Sequence, residues 1–195
     1  MNDNKKNLRR RIIKWRDDLD PMMRNRLSVA AAQHLLAWPL YRQAGTVLLF
    51  AGVRSEIETE FLTRRSLDLG KRVAMPRCVP ATRELLILKI KDWSDLKPSY
   101  FGLLEPSGSA PVVPLSKLDL IVVPGVAFST GGYRVGYGAG YYDRLLAQLK
   151  NIPSVGLAFE FQIVSSVPQE AHDVPVHYLA TETGVKDCRN LNQGR

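Results

Sequence analysis

Six glycines fall between Gly125 and Gly140, and three of them, Gly136, Gly138 and Gly140, alternate with other residues just before the helical pattern YYDRLLAQL. Glycine lets a backbone approach a ligand closely, and the first turn of a helix offers unpaired N–H groups at the positive end of its dipole. The run RVGYGAGYYDR, Arg134–Arg144, therefore has the composition of an anion cradle. Its donors would be the backbone at Gly136, Gly138 and Gly140 and the first amides of the YYDRLLAQL helix, with Arg134 adding a charge-assisted hydrogen bond. Asp143, at the helix start, either favours the dipole, a contribution of about 0.3–1 kcal/mol, or ligates a Mg²⁺ beside bound phosphates. The spacing matches neither the dinucleotide fingerprint nor the Walker loop, and a turn that needs only positive φ values is the alternative. A strand before, a helix after, and an arginine, two tyrosines and an aspartate within favour a nucleotide pocket.

Other chemically capable residues are less suggestive. His34, His172 and His177 have no metal-ligand spacing and no nucleophile beside them, so they read as solvated or core side chains. Trp15, Trp38 and Trp93 read as packing. Cys78 and Cys188 are the only cysteines, without CxxC or His-rich spacing, and read as free thiols rather than a disulfide or a zinc site.

The elements that must position the glycine run follow from apolar periodicity. Leu8, Ile12 and Trp15 at i, i+4, i+7 form a stripe on a strongly basic first helix. Asp20–Pro21 is an N-cap with proline at the first helical position, opening a second helix to about Ala37; together the two form an N-terminal helical hairpin. TVLLFAGV after Gly45 predicts a buried strand, and Ser55 with Glu58 predicts a capping box before a helix ending near Gly70. Further strands are expected at KRVAMP, ELLILKI, LDLIVVPG, SVGLAF and HYLATET. Residues 97–114 carry four prolines and two glycines and predict an irregular excursion over the sheet edge. The pattern specifies an α/β fold: a single domain over residues 1–195, ordered to about residue 187 and followed by a flexible C-terminal tail.

With 45% hydrophobic and 24% charged residues, disorder is not expected. No apolar run approaches the roughly 20 residues needed to cross a bilayer, and the first thirty residues are too charged for a secretory leader, so a soluble, cytoplasmic protein is expected with no membrane partner. The net charge of +8 favours anionic partners: nucleic acid, a nucleotide or a polyanionic small molecule. Nine Lys/Arg against four Asp in the first 26 residues motivate a nucleic-acid reading, but no RNA- or DNA-binding motif accompanies them.

The block PGVAFSTGGYRVGYGAGYYD, Pro124–Asp143, resembles the hallmark of the 5-formyltetrahydrofolate cyclo-ligase (methenyltetrahydrofolate synthetase) family. The resemblance continues in KKNLR, EIETEFL, MPR, GLLEP and GLAFEFQ…EAHDVPV, in the family's order over nearly the whole chain. It implies a Rossmann-like three-layer α/β/α domain with a largely parallel sheet. It also implies an enzyme that uses Mg-ATP to close 5-formyltetrahydrofolate into 5,10-methenyltetrahydrofolate, releasing ADP and phosphate, as a monomer or weak homodimer and without nucleic acid.

The resemblance further implies that Lys5, Arg9 and the loop of Arg134, Val135, Gly136, Tyr137, Gly138, Ala139, Gly140, Tyr141 and Tyr142 contact ATP, that Arg134 and Tyr142 serve catalysis, with packing the alternative for Tyr141 and Tyr142, that Asp143 and Asp173 hold Mg²⁺, and that Val53 and Glu58 contact the folate. Arg77, at a strand end where α/β sheets bind ligands, is read as a nucleotide or folate-tail contact. Solvated-face, turn and capping roles are the alternatives for Lys5/Arg9, Asp173 and Glu58 respectively. Ser129 and Ala139 depart from the family pattern, where aspartate and lysine or glycine are common; alanine keeps the backbone donors.

Overall fold

The computed structural model describes residues 2–99 and 102–189. From residue 190 on, the expected C-terminal tail lies outside the described residues, as do two residues of the proline-rich excursion. The chain opens with α1 (Asn2–Asp17), α2 (Pro21–Ala37) and the short α3 (Pro39–Gln43). β1 (Thr46–Leu48) enters the sheet, α4 (Glu60–Asp68) returns across it, and β2 (Arg72–Val79) and β3 (Glu84–Lys89) follow. A hairpin of β4 (Leu96–Pro98) and β5 (Leu104–Pro106) precedes β6 (Leu120–Val123). Then come β7 (Ala127–Ser129), β8 (Arg134–Val135), α5 (Tyr141–Gln148), β9 (Ser154–Leu157), β10 (Ile163–Val164), β11 (Tyr178–Thr181) and β12 (Gly184–Asp187).

Seven strands form the central sheet in the order β12-β11-β9-β6-β1-β2-β3. The inner five are parallel and the two edges antiparallel. Side chains alternate across a strand, and here both faces are covered, as a parallel sheet requires. Val47, Val122, Val155 and Ala180 pack with Leu35 of α2 and Leu62 of α4 on one face. Leu48, Ile121, Val123 and Leu179 pack with Leu145 and Leu146 of α5 on the other. That alternation creates the three layers. Because β1 leads to β2 on one side while β6 returns on the other, the strand order reverses between β1 and β6, where open α/β sheets form ligand crevices.

α2 starts as its residues dictate, with the Asp20 carboxylate accepting from the Met22 and Met23 amides at 2.9 and 3.1 Å. α1 and α2 follow each other across a short turn but bury different surfaces. Ile12 of α1 packs with Val126, Ala127 and Val135, whereas Ala31, Ala32 and Leu35 of α2 face the main sheet.

Three local expectations need correction. The Ser55–Glu58 capping box does not form. α4 starts at Glu60 after Thr59, whose side chain makes no cap bond because its hydroxyl donates to the Phe50 carbonyl. The strand expected over TVLLFAGV ends at Leu48, leaving the rest as a loop over the sheet's C-terminal edge. The proline-rich excursion holds the β4–β5 hairpin and bridges Val112 to Leu88 on the edge strand. β12 went unread because Glu182–Thr183 form a two-residue turn with little turn signal.

Candidate active site

α1 lies across the C-terminal edge of the sheet, and its contacts run through the site from end to end. Lys5, Arg9, Ile12 and Arg16 stand at i, i+4, i+7 and i+11, which places them on one helix face. The Lys5 ammonium donates to Glu170 Oε1 at 3.0 Å and Asp173 Oδ2 at 3.1 Å. Burial alone would lower the Lys5 pKa, but the hydrogen bonds and charges of these two carboxylates raise it above the ordinary 10.5. Arg9 Nε donates to the Gly136 carbonyl at 2.9 Å, fixing the helix to the glycine run.

The glycine run is held from beneath by a small sheet, in which β7 pairs with β10 and with β8. β8 delivers Arg134, which is only 7% exposed. Its Nη1 donates to the Val174 carbonyl and its Nη2 to Asp143 Oδ1, both at 2.7 Å. Burial pulls its pKa below the ordinary value against the opposing pull of Asp143 and Asp173. The Val174 amide in turn donates to Asp143 Oδ1 at 3.3 Å. Arg134, Asp143, Asp173 and Lys5 thus form a connected charge network along one wall.

Above it the backbone is shaped for close approach. Gly138 and Gly140 adopt φ of +104° and +70°, a region open to glycine, and a Cβ at Gly136 would meet nothing within 4 Å. Gly140 caps α5 without a side chain, so no side-chain oxygen occupies its first-turn amides. Ala139 needs no special conformation; its carbonyl accepts from Arg144 at 2.6 Å.

The sequence matches the 5-formyltetrahydrofolate cyclo-ligase family over residues 1–182. The chain belongs to that family. It is 35% identical over 173 residues to the 5-formyltetrahydrofolate cyclo-ligase of Haemophilus influenzae, covering 87% of this chain and 92% of the relative. It is 32% identical over 171 residues to that of Escherichia coli K12, covering 86% and 94%. The solved 5,10-methenyltetrahydrofolate synthetase of Aquifex aeolicus superposes with a TM-score of 0.83 at 32% identity, covering 98% and 94%. This chain is accordingly an enzyme of the ligase class with the α/β fold expected of the family.

At the β1/β6 reversal Arg16, Phe50, Glu56, Pro124, Gly125 and Gln162 line a closed crevice, too tight in this structure to admit a water molecule. Gln162 braces it, donating to the Gly125 and Val126 carbonyls at 3.0 and 2.9 Å and accepting from the Phe159 amide at 2.9 Å. Glu56, 6% exposed, accepts from the Val53 amide at 3.1 Å. Burial raises its pKa against the lowering effect of that amide and of Arg16. Arg16, 1% exposed, donates to the Tyr137 hydroxyl at 2.8 Å and stands 3.7 Å from Glu56.

Of the residues expected at the site in this cyclo-ligase, Lys5, Arg9, Arg134, the glycine run, Asp143 and Asp173 are brought together. Val53 lies on the crevice loop. Glu58 is not in the crevice: it is bound at the surface of α2 by Arg24 at 3.1 Å and Asn25 at 2.8 Å. Arg77 donates to the Pro106 carbonyl at 2.8 Å and fastens the β4–β5 hairpin to β2. The Tyr142 hydroxyl is buried with no hydrogen-bond partner among the described residues, and burial pushes its pKa up, which keeps it protonated. Arg16, Glu56 and Gln162 were not singled out from sequence, although Arg16 shares the spacing of Lys5 and Arg9.

Among the described residues no cluster of three or more His, Cys, Asp or Glu side chains is arranged to hold a metal by itself. Asp143 and Asp173 each commit one oxygen to the hydrogen bonds above, leaving Asp143 Oδ2 and Asp173 Oδ1 outside them. Two hard carboxylates suit a Mg²⁺ that keeps water and phosphate oxygens as its remaining ligands. The donor set fits an ion that arrives with a nucleotide.

No helix among the described residues is long and apolar enough to cross a membrane.

Proposed function

We propose that this cyclo-ligase converts 5-formyltetrahydrofolate and ATP into 5,10-methenyltetrahydrofolate, ADP and phosphate with Mg²⁺. The observation that carries the reading is the buried Arg134–Asp143 pair beside an open glycine run, closed from the other side by Lys5 and Arg9 of α1. A formamide oxygen is a poor leaving group, so it must be activated before N10 can displace it. The formyl oxygen attacks the γ-phosphorus and ADP departs. N10 then adds to the activated carbon and loses its proton, and expulsion of phosphate leaves the methenyl bridge.

The chain's own residues supply position and charge. Amides of Gly136–Gly140 and the first turn of α5 receive phosphate oxygens, Lys5 and Arg9 neutralise them, and Arg134 faces the charge that develops on the transferred group. Asp143 and Asp173 would hold Mg²⁺, which when bound neutralises phosphate charge. Glu56 rather than Glu58 is assigned to the folate: it is the carboxylate turned into the β1/β6 reversal, where a pterin's N–H edge would meet it once the substrate parts the closed crevice, with Val53 beside it. Tyr142 is assigned to packing and Arg77 to holding the hairpin.

The test is growth of the methenyltetrahydrofolate absorbance band when purified protein meets 5-formyltetrahydrofolate and Mg-ATP, with ATP omitted as control. ATP-dependent growth supports the reading. Ligand binding by folded protein without ADP release would instead identify a non-catalytic binder.

A further inference from the structure

Arg16 is among the largest side chains buried almost completely in this protein. Its surroundings are poor compensation for that burial. Nε has no hydrogen-bond partner among the described residues, and the carboxylate it pairs with, Glu56 Oε1, is 3.7 Å from Nη1. A buried ion pair of loose geometry contributes little to folding and is often replaceable by apolar side chains. Arg16 nevertheless sits at the crevice where strand order reverses, and touches both of its halves. Nη2 donates to Tyr137, which belongs to the glycine run, and Nη1 faces Glu56, which belongs to the loop after β1. Arg9, two turns earlier on the same face, grips the neighbouring Gly136 carbonyl.

We propose that Arg16 is a positioning residue of the reaction: it sets a positive charge against the Glu56 carboxylate offered to the folate and, through Tyr137, fixes the glycine run relative to it. The inference rests on the assignment of Glu56 to the folate. Ionisation matters because a pterin presents N–H donors, and a carboxylate accepts them with both oxygens whereas a protonated acid cannot. The groups facing Glu56 are Arg16 from α1, the Val53 amide from its own loop, and the Tyr137 and Tyr142 hydroxyls from the glycine run. Arg16 is the only cation among them, so its removal leaves Glu56 buried with no opposing charge.

The geometry separates the two tasks. Arg16→Met removes both, Arg16→Lys keeps a cation beside Glu56 but cannot fork to Tyr137, and Tyr137→Phe cuts the link alone at a residue that is half exposed. Steady-state kinetics of each variant across pH, with both substrates varied, tests the proposal. For Arg16→Met the expected result is a folate KM at least tenfold higher and an acid limb of kcat/KM moved to higher pH by about one unit, with a smaller change in the ATP KM. Arg16→Lys should return the acid limb to its wild-type position, and Tyr137→Phe should lower kcat at least threefold without moving that limb. A residue that merely fills space would lower thermal stability and move neither quantity. Should Arg16→Met fail to fold, the other two variants still decide: a displaced acid limb in Tyr137→Phe, or unchanged kcat in both, overturns the proposal. Wild-type protein that does not close 5-formyltetrahydrofolate overturns the functional reading instead, and wild-type turnover with an unmoved folate KM and acid limb in Arg16→Met overturns this inference alone.

Discussion

Replacing Arg134 with alanine removes a guanidinium that is 7% exposed and makes two short hydrogen bonds, to the Val174 carbonyl and to Asp143 Oδ1, both at 2.7 Å. Hydrogen bonds to charged groups contribute about 1.5–3 kcal/mol each. Breaking a buried pair by removing one partner costs about 3–5 kcal/mol because a charge is left uncompensated. Asp143 is 21% exposed at its side chain, so water regains part of that, and a net loss of about 3 kcal/mol is expected. For a domain of this size the loss corresponds to a fall in Tm of about 6–12 °C.

The catalytic effect has a separate origin. Removing a preorganised donor aimed at charge that develops in the transition state costs about 10²–10³ in kcat. Thermal unfolding followed by circular dichroism and turnover followed by methenyltetrahydrofolate absorbance separate the two effects. Arg134→Lys sharpens the test, since one ammonium cannot reproduce a fork that serves both a carbonyl and a carboxylate; it should recover part of the stability and little of the rate. In a cycle with Asp143→Ala the two substitutions should be non-additive by more than about 0.5 kcal/mol. Additive stabilities together with a kcat within threefold of wild type would refute both the pairing and the role.

Three further outcomes are expected. Glu56→Gln should raise the folate KM more than the ATP KM, whereas Glu58→Gln, which loses an exposed bridge to Arg24, should leave kinetics near wild type and cost at most about 1 kcal/mol; the reverse ranking would return the folate role to Glu58. Burial pushes the Cys78 thiol up to about 12, with Glu105 adding to it, and the Cys188 thiol up to about 11, so neither should react appreciably with a disulfide reagent in folded protein at pH 8; labelling at the rate of a free thiol would contradict that. Burial works to raise the Glu160 pKa, but hydrogen bonds from Lys186, Thr181 and Thr183 outweigh it and hold it below the ordinary 4.5. Its contribution to stability is therefore present above that pH and lost as pH falls through its folded value, and Glu160→Gln should flatten the acid decline seen in denaturant titrations.

The layers were legible because the sheet strands announce themselves. LIVV and SVGL are buried throughout, as strands covered on both faces must be, and Asp20–Pro21 caps α2 as its chemistry demands. The backbone shape of the glycine run was legible because glycine spacing is a backbone requirement, visible locally. What failed were readings that depended on tertiary competition. Ser55 and Glu58 have capping-box spacing, yet Glu58 is drawn to Arg24 and Asn25 on α2, more than thirty residues away, and Thr59 bonds the Phe50 carbonyl instead. That the buried carboxylate is Glu56 and not Glu58 was hidden for the same reason: in EIETE the alternation of acids gives no local clue to which one the loop turns inward.

α1 explains why a site spread over 170 residues can act as one. It contributes no strand and little to the main core, yet its inner face reaches Asp173, Gly136, the small sheet and Glu56 in succession. A helix rises 1.5 Å per residue, so the eleven residues from Lys5 to Arg16 span about 16 Å, long enough to run from the Arg134–Asp143 wall to the Glu56 crevice. Rigidity over that distance is what an in-line transfer between two bound substrates needs, since a misplacement of about 1 Å can cost 10²-fold in rate. A proline placed at Arg10 would break the helix between its two grips, and it should impair use of both substrates while the α2- and α5-covered sheet still folds. Loss of ATP affinity alone would show that the two halves are set by the sheet and not by α1.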